Sequence, residues 1–90
     1  MYNFNSAEIN LFNRQYNTNY TDSDINTILK NKLTDIQFNT ESDIFKFCLD
    51  FYNISEADWN NTEYSIKNNF DLSFNLYYEL CDQYNIKPAE

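Results

Sequence analysis

The stretch Glu41-Ser42-Asp43-Ile44-Phe45-Lys46-Phe47-Cys48-Leu49-Asp50-Phe51-Tyr52-Asn53 decides the fold. Read at helical spacing, Ile44, Phe45, Phe47, Cys48, Leu49, Phe51 and Tyr52 cover most of a helix circumference. Only Asp43, Lys46 and Asp50 line up as a narrow polar strip. A helix that is apolar nearly all round must be covered by its neighbours, so 41–53 is predicted to be the central helix of a bundle. Its start is marked by Thr40 and Asp43. They stand at the spacing at which a hydroxyl and a carboxylate cap each other's backbone amides.

Working toward the N-terminus, residues 34–40 form a connection in which Ile36 and Phe38 alternate, as a short extended piece plugging the core would. Ahead of it, Thr21 and Asp24 repeat the capping spacing, and Ile25, Ile28, Leu29 and Leu33 give a helical stripe. Lys30 and Lys32 sit near that helix's end, where the dipole favours cations. A first helix is expected to be capped by Ser6, with Glu8 in its first turn and Ile9, Phe12 and Tyr16 on one face, ending near Asn17.

Toward the C-terminus, Ser55 is placed to cap a turn carrying Glu56 and Asp58, and Trp59 falls in a short linking segment. A last helix is expected from Thr62 to Tyr84, with Ile66, Phe70, Phe74, Tyr77, Cys81 and Tyr84 as its apolar stripe. Leu72, Phe74, Leu76, Tyr78 and Leu80 also alternate strictly, which is a strand pattern. Helix is preferred because its period holds over more residues. The prediction is one all-α domain over 1–90, about four helices around the central apolar one. The alternative is α+β with a short strand near 35–40 or 71–80.

Composition agrees. The chain has no Gly and no Val, and its one Pro is Pro88. Hairpins want Gly and sheets want Val, so both absences favour helices joined by polar turns. Asn can stand in for Gly where a helix end turns left-handed. The pairs Tyr16-Asn17, Tyr52-Asn53 and Tyr84-Asn85 fall at three predicted helix ends, Tyr closing the core stripe and Asn supplying the turn. Aromatics make up 19% of the chain, far more than disorder tolerates. Met1-Tyr2-Asn3-Phe4 lacks the basic and apolar regions of a secretory leader. No run approaches the roughly 20 apolar residues of a membrane span. The expected compartment is the cytoplasm, with Cys48 and Cys81 reduced and buried.

Catalytic constellations are poor. There is no His, the commonest general base, and no Gly for a phosphate-cradling loop. Two isolated Cys without His do not make a usual zinc site. Asp22-Ser23-Asp24-Ile25-Asn26 opens like an EF-hand loop, but Thr27 stands where Gly is needed and Leu33 where a bidentate Glu is needed. A capped helix start is the better reading. The expectation is no enzyme, no metal and no cofactor.

Charge is the strongest functional signal. Fourteen carboxylates face six bases, for a net −8. The Asn-, Tyr-, Phe- and Ile-rich composition looks AT-rich in coding, a drift that should also raise Lys, yet only five Lys occur. The acidity is therefore more than codon drift. Residues 1–34 balance to zero, whereas 35–63 set seven carboxylates against Lys46 alone, a balance of −6. Such a surface repels nucleic acid and anionic membranes and attracts basic surfaces. The candidate partner-binding residues are Asp43, Asp50, Glu56, Asp58, Glu63, Asp71, Glu79 and Asp82. An alternative, apolar docking patch is Trp59, Tyr64, Leu72, Leu76 and Tyr78. Tyr52-Asn53-Ile54-Ser55 resembles the turn of a helix-turn-helix motif, but net acidity argues against direct DNA binding.

By size, acidity and lack of catalytic residues, the whole chain resembles, in composition and not in motif, the small inhibitors that phages and mobile elements direct against host defence: anti-CRISPR and antirestriction proteins. The resemblance implies stoichiometric inhibition in the host cytoplasm. The implied partner is a basic nucleic-acid-binding protein, such as an effector nuclease, met by an acidic face that imitates duplex phosphates. The alternative is a helical interaction module or homodimeric regulatory subunit that uses the aromatic patch.

Overall fold

The computed structural model describes residues 2–60 and 75–88. They form an all-α fold with five helices in chain order: α1 (Ser6–Tyr16), α2 (Asp22–Leu33), α3 (Glu41–Phe51), α4 (Glu56–Asn60) and α5 (Leu76–Gln83). No strand occurs among the described residues, so 35–40 is not a strand, and Leu76–Leu80 is helical despite its alternation. The expected residues Glu63, Tyr64, Ile66, Phe70, Asp71, Leu72 and Phe74 lie outside the described residues.

The starts of α1, α2 and α3 are fixed by the same device. Asn5, Thr21 and Thr40 accept the backbone N–H three residues on, and Glu8, Asp24 and Asp43 accept the cap residue's own N–H in return. Each box satisfies two amides that a helix start leaves without partners. The expected cap at Ser6 is corrected to Asn5. The physical reason is the partner: a cap at Asn5 puts Glu8 at the position that closes the box, whereas a cap at Ser6 would put Ile9 there. Ser55 caps α4 as expected, its Oγ accepting from the Asp58 N–H at 3.1 Å.

The ends are equally regular. Asn17, Asn53 and Asn85 are left-handed, with φ of 55, 56 and 56°. At the end of α3 the Asn53 N–H donates to the Asp50 carbonyl and the Ile54 N–H to Leu49, at 3.0 and 2.9 Å. Asn85 and Ile86 repeat this on Asp82 and Cys81 at 3.2 and 2.8 Å. These paired bonds satisfy the last carbonyls of each helix and turn Ile54 and Ile86 back onto the apolar core.

Helix α3 is central, as expected. Ile44, Cys48 and Phe51 are buried completely, and so is Tyr52 just past its end. Its rings meet rings from several other segments. Phe12 of α1 lies 5.2 Å from Phe51, Phe4 lies 6.1 Å from it, Phe38 lies 5.4 Å from Phe47, and Trp59 of α4 lies 5.3 Å from Phe45. Helix α5 packs directly on α3. Phe45 and Phe47 are half-buried at the margin and are not part of the sealed core. Trp59, expected in a linking segment, lies inside α4 and packs on the core.

The expected unbroken helix from Thr62 to Tyr84 is also corrected. Asn75 is not helical, and α5 starts at Leu76. Leu76, Tyr77, Leu80 and Cys81 face the core, Tyr77 and Cys81 as the stripe predicts, while Tyr84 is only half-buried. Cys48 and Cys81 are both free thiols and both buried. No helix among the described residues is long and apolar enough to cross a membrane.

Candidate functional site

The acidic residues expected to bind a partner fall into distinct settings. Asp43 and Asp50 share the polar strip of α3, seven residues and about 10 Å apart along the axis. They flank a shallow notch whose other walls include Phe38, Lys46 and Phe47. Asp43 is already engaged: its Oδ2 accepts the N–H groups of Asn39 and Thr40 at 3.0 and 3.1 Å. The Asn39 amide, then the Thr40 amide, hold its carboxyl below the usual carboxylate range. Asp43 is therefore first a cap. Asp50, Glu56 and Asp58 are exposed, as are Glu79 and Asp82 of α5.

Glu79 belongs to another recess. A groove of about 520 Å³ runs between α2 and α5, floored by Leu29, Leu33, Leu76 and Leu80 and rimmed by Lys30, Glu79 and Tyr2. It shares no residue with the notch on α3. The structure thus brings Asp43 and Asp50 together and sets Glu79 apart.

The apolar alternative is thinned. Leu76 is 0% exposed and cannot reach a partner, and Trp59 is half-buried. Tyr78 is the member that stands out, at 55% exposed. The turn 52–55 joins α3 and α4, as a helix-turn-helix turn would.

The sequence reading missed a buried carboxylate. Glu8, expected as a first-turn acid suited to the helix dipole, is 1% exposed. The Tyr2 hydroxyl donates to its two oxygens at 2.8 and 2.7 Å, Tyr52 donates to Oε2 at 3.3 Å, and the Asn5 N–H donates to Oε1 at 3.1 Å. Burial, then the hydrogen bond to Glu8 and its charge, push the Tyr2 phenol well above the ordinary tyrosine range. Tyr52 is pushed up by burial first and then by the charge of Glu8. A second carboxylate, Asp22, accepts the Phe4 N–H at 2.8 Å and the Asn26 amide at 3.2 Å. The signal for Glu8 was present as the Asn5-to-Glu8 spacing. Nothing in the sequence marked Tyr2 and Tyr52 as its donors, because those contacts span 6 and 44 residues.

Among the described residues no group of His, Cys, Asp and Glu is arranged to hold a metal ion. Every buried side-chain nitrogen and oxygen there has a hydrogen-bond partner. No protein-family model, no curated protein and no solved structure matches this chain.

Proposed function

We propose that this chain is a non-catalytic acidic binding protein of the cytoplasm. It docks on the basic nucleic-acid-binding surface of another protein and blocks that surface stoichiometrically. The observation that carries the reading is the −6 balance over 35–63, with Asp50, Glu56 and Asp58 exposed on helices anchored to a rigid core. Carboxylates fixed on helices present charge without the ordering cost that flexible side chains on loops would add, and duplex phosphates are the dense charge such partners are built to receive. On this reading the host protein is a defence nuclease or a similar effector, and no direct nucleic-acid or membrane contact is made.

The test is capture of the partner from host extract on the immobilised chain, followed by competition. Duplex DNA or RNA should release the captured protein in proportion to its own affinity. A Lys at Asp50, Glu56 and Asp58 together should abolish capture while leaving the helical spectrum intact. Asp43 is left unchanged because it caps α3. Capture that survives both treatments and is lost on Tyr78→Ala would instead support the aromatic interaction module, for which the exposure of Tyr78 is the supporting observation.

A further inference from the structure

We propose that residues 2–5, ahead of α1, form a strap latched by the carboxylate of Glu8, and that loss of the latch opens the groove between α2 and α5. The strap is held at two points. At one, the Tyr2 hydroxyl bonds both oxygens of Glu8 at 2.8 and 2.7 Å. At the other, the Phe4 N–H bonds Asp22 of α2 at 2.8 Å. Between them the Phe4 ring meets Tyr2 edge-on at 4.7 Å and stacks near Phe51 at 6.1 Å. Both anchors are carboxylate oxygens that accept from the strap.

The surroundings make Glu8 a one-way latch. From the strap it faces Tyr2, from α3 it faces Tyr52 and Cys48, and on α5 Glu79 lies near enough to Tyr2 to act on the same hydroxyl. Among the described residues the carboxylate is held by donated hydrogen bonds from Tyr2, Tyr52 and Asn5. Tyr2 is also one rim of the groove over Leu29, Leu33, Leu76 and Leu80, with Lys30 and Glu79 beside it. When the strap leaves, that apolar floor and the Phe51 edge lose their cover.

Amide hydrogen exchange read residue by residue tests this, because the Phe4 N–H reports the strap and the Cys48 and Leu49 amides report the core. In Tyr2→Phe at neutral pH the Phe4 protection factor should fall roughly tenfold or more, the scale of a lost hydrogen bond to a charged group. The α3 amides should keep theirs, and an apolar-surface dye such as anilinonaphthalene sulfonate should brighten. Glu8→Gln, which keeps an acceptor but no charge, should match Tyr2→Phe. Unchanged Phe4 protection in both variants, or a loss that extends equally to the Cys48 and Leu49 amides, would overturn the proposal.

Discussion

A carboxylate is costly to bury, and Glu8 is tolerated because three donors, the Tyr2 and Tyr52 hydroxyls and the Asn5 N–H, surround its two oxygens. The same arrangement acts on its donors. Burial and the Glu8 charge raise Tyr2 and Tyr52 above the ordinary phenol value, and burial, with Cys81 and Glu8 nearby, raises Cys48 above the ordinary thiol value. The folded chain therefore holds these protons more tightly than the unfolded chain does. Stability from this cluster is complete below the unfolded thiol and phenol values, about 8.5 and about 10, and falls as pH rises above them. Denaturant midpoints followed from neutral to strongly alkaline pH should show that decline, and Tyr52→Phe should flatten it. A midpoint that is level across the alkaline range would show that the cluster is not closed in solution.

At the scale of the element, helix ends carry the design. With no Gly available, Asn supplies the left-handed residue at positions 17, 53 and 85. A side chain other than Asn costs about 1 kcal/mol or more in that conformation, while Gly fits without strain. Asn85→Ala should thus lower stability by about 1 kcal/mol, and Asn85→Gly should leave it equal or higher, as measured by chemical denaturation. Equal effects of Ala and Gly would mean that the turn is not held left-handed. These ends, and the boxes at Thr21 and Thr40, were legible because capping chemistry is local. The box at Asn5 was misplaced by one residue because Asn5 and Ser6 are both good caps and only the partner Glu8 separates them. On α5 the stripe was legible at Tyr77 and Cys81, but Leu76 and Leu80 beside it also face the core, so Leu76 cannot join the docking patch.

For the whole molecule, the central position of α3 followed from its own residues, whereas the site depended on contacts that no local pattern records. Phe51 is sealed by rings from α1 and from the strap, and Phe47 sits at the margin beside Asp43 and Asp50. Phe51→Ala should cost about 3–5 kcal/mol, enough to unfold most of a population of this size, and Phe47→Ala should cost clearly less. Thermal melts of the two variants side by side check the ranking, and equal losses would contradict the placement of α3.

The functional claim concerns the field of the molecule rather than any one contact. Exposed carboxylates steer an encounter and are screened beyond about 10 Å at 0.1 M salt. The most direct measurement is the association rate with the captured partner from about 50 to about 500 mM salt, a range over which steering collapses. The account predicts a rate that falls steeply with salt in the wild type, is already low in the variant with Lys at Asp50, Glu56 and Asp58, and leaves the dissociation rate nearly constant. An association rate that is flat across that range and indifferent to the reversals would contradict it.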